Sequence, residues 1–159
     1  MFNLVQHKAS SDYLGTLLSY YEEEISGEAY FDALAGYFDE HDKIILLSRI
    51  ERVAAQAVEP LLAKYGLDPK DEVELKREGR GYVELHRSYS WSQFMAYIVE
   101  RYPGYLEEFG ALEAMAPVED LPALSLLTEH EVAVIDFAER ELAGDPDTTA
   151  PLLRYLGES

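Results

Sequence analysis

Apolar residues recur at intervals of three and four along almost the whole chain, a pattern that restricts it to packed amphipathic helices. Ser10, Ser11 and Asp12 offer N-caps for a first helix over about 12–38, whose apolar face carries Leu14, Leu17, Tyr21, Phe31, Ala35 and Phe38. The polar stretch from Asp39 to Asp42 suits a tight turn between antiparallel helices. A second helix over about 42–65 aligns Leu47, Ile50, Ala54, Val58, Leu61 and Tyr65. Pro60 lies inside it. A mid-helix proline costs about 3 kcal/mol, so a kink or break is expected near Val58 and Glu59. Gly66 and Pro69 supply the stop.

Residues from 66 to about 89 depart from this pattern, with Gly66, Pro69, Gly79 and Gly81 around the alternating charges of Glu74 to Glu78. Some 24 residues reach roughly 75 Å when extended, whereas a helix of that length spans about 36 Å. The segment can therefore cross over along a whole bundle, with a short helix of its own. A third long helix starts at the N-cap Ser90 and carries Trp91, Phe94, Ile98, Tyr102, Tyr105, Phe109 and Leu112, bent or interrupted at Pro103–Gly104. A fourth runs over about 121–143 to Gly144, and a short last helix covers about 148–156. Two hairpins joined by a long crossover define an all-α four-helix bundle, one domain over 1–159.

The side chains that conflict with this pattern carry the chemistry. At 100° per residue, Glu24 and Glu28 fall on the apolar face with Leu17, Tyr21 and Phe31. Glu51 falls beside Ala54 and Val58. Glu131 falls between Leu127 and Val134, with His130 at the edge of that face and Glu141 a further edge position. A buried carboxylate shifts its pKa, pairs, or coordinates a metal. Arg49 and Arg52 project away from the inward face, which leaves Arg101 as the well-placed inward cation, together with His130 if protonated. One or two divalent ions would restore the balance. So would shared protons, water, or a bundle end open to solvent. Tyrosine supplies a structural alternative: Trp91, Tyr102 and Tyr105 read as core, and buried tyrosine hydroxyls could donate to the inward glutamates. His7, His41 and His86 read as surface residues, so a three-histidine metal site is not favoured.

Composition removes other functions. With 31 acidic and 13 basic residues the net charge is -18, which argues against nucleic acid and anionic membranes as partners. Cysteine is absent, which excludes disulfides, iron–sulfur clusters and thiolate zinc sites. No apolar run approaches a membrane span, and the first residues lack the features of a signal peptide, so a cytoplasmic protein is expected. There is no Gly-x-Ser-x-Gly elbow, and Gly79–Arg80–Gly81 lacks the remaining glycine of a dinucleotide loop.

The chain resembles the ferritin-like superfamily. Glu24–Ile25–Ser26–Gly27 followed by Phe31 is similar to its first metal-binding helix. Glu51–Arg52–Val53–Ala54 and Leu127–Thr128–Glu129–His130 fall where its second and fourth helices carry Glu-x-x-His. The departures are Ala54 in place of histidine, Leu127 in place of glutamate, and no clear inward glutamate on the third helix, where Glu100 faces out and Glu108 lies at the edge. The resemblance carries over Glu24, Glu51 and His130; Glu28 and Glu131 are spatial substitutes. Hard carboxylates with one imidazole suit iron or manganese better than copper. The expectation is an iron- or manganese-binding bundle of oxidoreductase type, with metal ligands Glu24, Glu28, Glu51, His130 and Glu131 and with Tyr21 and Tyr102 as modulators. The alternative is a non-catalytic scaffold whose metal site has decayed. There Arg101, tyrosines and water would satisfy the glutamates, and the Trp91 region or the crossover would meet a partner. The run Ile44 to Leu47, apolar nearly all round, suggests a homodimer.

Overall fold

A computed structural model describes residues 10–158, which are helical with no strand among them; His7 lies outside the described residues. Helix α1, Ser11–Leu34, is capped by the Ser10 hydroxyl, which accepts the Tyr13 N–H at 3.1 Å. It stops short of the expected end. A 3-10 turn, Ala35–Tyr37, leads to an extended Phe38, whose ring stacks on Phe94 at 5.6 Å. Packing of that aromatic overrides helix continuation.

Helix α2, His41–Tyr65, runs unbroken through Pro60, contrary to the expected break near Val58. Pro60 and Gln56 both lie on the exposed side, where water can satisfy the carbonyl that the missing N–H leaves free. Gly66 ends the helix at φ 65°, a left-handed position suited to glycine. Of the apolar run, Ile44 and Leu47 are buried and Leu46 packs on the core, which leaves Ile45 as its exposed member.

The crossover holds α3, Glu72–Gly81, capped by Asp71, followed by a 3-10 turn over Tyr82–Leu85. The Ser26 hydroxyl of α1 donates to the Leu75 carbonyl at 3.0 Å. At Gly79 the two backbones meet, and any Cβ there would overlap the Ser26 carbonyl. Helix α4, Trp91–Arg101, opens with a capping box between Ser90 and Gln93. Pro103 ends it as expected and starts α5, Pro103–Met115. Helix α6, Leu121–Ala143, ends at Gly144, and α7 is the short Ala150–Tyr155.

Helix α1 lies along α2 and α3, while α6 packs on α2, α4, α5 and α7; α1 and α5 meet only briefly. Two apolar clusters result. One gathers Phe31, Leu34, Leu47, Ile50, Phe94, Ile98, Val134 and Phe137. The other gathers Tyr13, Leu17, Ile25, Ala54, Val58, Phe109, Leu112, Leu124 and Leu127. Along α2 the clusters part between Ile50 and Ala54, and along α6 between Leu127 and Ala133, so Glu51 and His130 occupy the boundary. Trp91 is half-buried: it packs on Phe38 and Phe137, and its Nε1 donates to Glu141 at 2.8 Å. Among the described residues, no helix is long and apolar enough to cross a membrane.

Candidate metal centre

Three of the five expected ligands converge at the boundary between the clusters. Glu24 from α1, Glu51 from α2 and His130 from α6 each offer a donor atom, all within 4.8 Å of one another. His130 is fully buried; its Nε2 lies 3.0 Å from Glu24 Oε1 and 3.1 Å from Glu51 Oε2. Two ligands about 2.1 Å from one metal and at right angles to each other lie about 3.0 Å apart. The spacing is that of adjacent corners of a coordination shell. Gly27 makes the approach feasible, since a Cβ there would overlap the Glu51 carboxylate. That glycine was part of the motif similar to the ferritin-like first helix, but its spatial role is visible only once α2 is set against α1.

The imidazole is oriented. Its Nδ1 faces the Leu127 carbonyl, one turn back on α6, a contact that selects the tautomer with the proton on Nδ1. Nε2 then presents a lone pair towards the two carboxylates. It is the one fully buried side-chain polar atom among the described residues without a hydrogen bond, although an oxygen of each carboxylate lies 3.0–3.1 Å from it. A lone pair against two anions is repulsive unless a cation, whether a proton or a metal ion, lies between them.

The ionisation states follow from burial. Burial first, then the Glu24 carboxylate, pushes Glu51 up to about 7, against a smaller opposing pull from His130. For His130, burial alone would lower the pKa, but Glu24 and Glu51 together hold it well above the ordinary imidazole value. Glu131 is only 5% exposed, and burial pushes its carboxyl well above the usual range. It stands beside the triad rather than within it, and makes no hydrogen bond or ion pair to any described residue.

Glu28 does not join the site. It takes a bidentate pair from Arg52, with Nε to Oε2 at 3.0 Å and Nη2 to Oε1 at 2.7 Å, and Lys76 of α3 lies 3.8 Å away. Arg52 does project away from the bundle interior, as expected, and draws Glu28 with it. The face of α1 that holds Glu28 is covered by α3, a neighbour that helical periodicity does not reveal. Arg101 is not the inward cation either: it is exposed and sits 5.6 Å over the Tyr97 ring. Tyr21 is buried on the side of Glu59 and Glu72, away from the triad. Glu141 is tied to Lys43 at 2.5 Å and to Trp91.

A cavity of about 500 Å³ opens where α1 and α5 diverge, and Glu24, Glu51 and Glu131 line it together with Tyr20, Tyr30, Tyr97, Tyr102 and Tyr105. That size is ordinary for a small-ligand site. Tyr102 and Tyr105, expected as core, are half-buried: each packs on one of the apolar clusters and also forms part of the cavity wall. His86 corrects a second expectation. It is buried, with Nδ1 2.7 Å from the Tyr30 hydroxyl, and burial and then Arg101 lower its pKa. His41 is exposed, as expected.

No protein family, curated protein or solved structure matches the chain.

Proposed function

We propose that the chain is a metal-binding bundle of ferritin-like type, in which Glu24, Glu51 and His130 hold a divalent iron or manganese ion. The observation that carries this reading is the buried Nε2 of His130, aimed at two carboxylates with no hydrogen bond of its own. Two carboxylates would neutralise a divalent ion, and three protein ligands would leave coordination positions open towards the cavity that Glu24 and Glu51 line. A metal of this kind supplies redox or Lewis-acid chemistry when bound, which is the basis for an oxidoreductase-type activity. The Leu127 carbonyl would keep the imidazole in its coordinating tautomer, and Gly27 would keep the Glu51 carboxylate in reach.

Elemental analysis of untagged protein from iron- and manganese-supplemented cells tests the reading. About one ion per chain in the wild type, lost in Glu51→Ala with helicity retained, supports it. Full occupancy in Glu51→Ala removes Glu51 from the site.

A second reading is favoured by the raised pKa of His130. The imidazolium would serve as the shared cation for Glu24 and Glu51, and the layer would be a closed polar core in a non-catalytic scaffold. Protein that arrives metal-free and gains no melting temperature from iron, manganese or zinc supports this reading over the first.

A further inference from the structure

The cavity beside the triad has a wall of its own. Tyr97 and Tyr102 lie with ring centroids 6.4 Å apart at 77°, and Tyr102 and Tyr105 lie 5.4 Å apart at 83°. Consecutive rings thus stand nearly at right angles, like adjoining panels of a box. None of the three hydroxyls donates to a described residue. Beside these rings Glu131, only 5% exposed, makes no hydrogen bond or ion pair to a described residue, and its carboxyl oxygens are open to the cavity rather than closed off like His130 Nε2. The exposed Glu23 lines the same cavity. Of the nearby cations, Lys70 in the lining is already 3.6 Å from Glu78, and Arg101, outside the lining, lies 5.6 Å over the Tyr97 ring, a cation these rings already attract. Aromatic faces set as a box with carboxylates at hand favour an organic cation over an anion or a neutral ligand, because ring quadrupoles and carboxylates attract the same charge.

We propose that the box of Tyr97, Tyr102 and Tyr105, with Glu131 at its base, binds a small alkylammonium ion. The ion would lay its apolar shell against the rings and supply the partner that Glu131 lacks. This site uses residues outside the Glu24–Glu51–His130 triad and does not depend on a metal being held there.

Isothermal titration of the full, metal-free chain with choline tests it, with 3,3-dimethylbutan-1-ol as the neutral isostere. Choline is expected to bind saturably, at least about tenfold tighter than the alcohol. Glu131→Gln and Tyr105→Leu should each weaken choline by roughly tenfold, while Tyr105→Phe, which keeps the ring, should retain most of the affinity. Equal binding of choline and the alcohol overturns the proposal without any variant. So does the absence of saturation by choline, or wild-type affinity in a folded Glu131→Gln protein. Elemental analysis reads the metal separately, so either conclusion can fall while the other stands.

Discussion

The molecule buries carboxylates in two places and treats them in opposite ways. At one end Asp120, 1% exposed, accepts the Tyr13 hydroxyl at 2.7 Å, the Tyr65 hydroxyl at 2.5 Å and the Lys64 ammonium at 2.6 Å. Burial would raise its pKa, but these three donors outweigh burial and hold it below the ordinary value. At the middle, Glu51 and Glu131 are pushed upward, and His130 Nε2 has no hydrogen bond. Asp120 shows that tyrosine and lysine on neighbouring helices can satisfy a buried acid in this fold. The central layer lies beside several tyrosines and lacks such bonds. The contrast separates an acid that ties α1 and α2 to the start of α6 from acids that find no such donors among the described residues.

The sharpest way to break this comparison is to delete the satisfied acid. Asp120→Ala should cost about 3 kcal/mol, because it leaves the buried Tyr13 hydroxyl and the half-buried Tyr65 hydroxyl without their acceptor. Urea unfolding measures it, and a cost under about 1 kcal/mol would put Asp120 on the same footing as the centre. Next in size is the metal. At a hundred times its dissociation constant, manganese or iron should stabilise the wild type by about 2.7 kcal/mol. Asp120→Asn should keep that increment and His130→Ala should lose it, since the two sites share no partner. A His130→Ala protein that still gains the full increment would place the ion elsewhere.

Titration sharpens the contrast further. Glu51, Glu131 and His130 all have raised pKa values, so the folded state holds more protons than the unfolded chain in the window above the unfolded values. Their contribution is complete below the unfolded values and is lost as pH rises through the folded ones. Asp120 and Glu141 are lowered, so theirs is present above the unfolded values and lost in acid. The metal-free protein should therefore be most stable near about pH 5 and lose roughly 1–3 kcal/mol towards pH 8. Bound metal should flatten that decline. Denaturant midpoints across the range that rise towards pH 8 would contradict the central assignment. The smallest effect belongs to Glu131→Leu. Removing an acid that has no protein partner should change stability by less than about 1 kcal/mol, in either direction. A loss above about 2 kcal/mol would show Glu131 to be bonded as firmly as Asp120.

The helical pattern carries the helix positions and placed Glu24, Glu51 and His130 inward, because each interrupts an apolar face. It failed at Glu28, since a helical wheel shows that a face is covered and not by what; α3, from the crossover, covers that side and contributes Lys76. It failed at Pro60, where an exposed carbonyl removes most of the expected penalty. Asp120, just before an apolar helix, carries no signal in the helical pattern, because its partners Tyr13 and Lys64 are far away in sequence. The cavity was not legible at all, because it depends on how far α1 and α5 diverge and not on the pattern of either.

Gly79 gives that divergence its tolerance. It touches neither the triad nor the tyrosine box, yet its missing side chain lets α3 rest directly on the α1 backbone at Ser26. With α3 seated there, α1 is covered on that flank. A methyl group at 79 would lift α3 and with it Leu75, Glu78 and Tyr82, which line the cavity. The width of the cavity is thus gauged by an atom that is not there, as a shim sets a gap by its thickness.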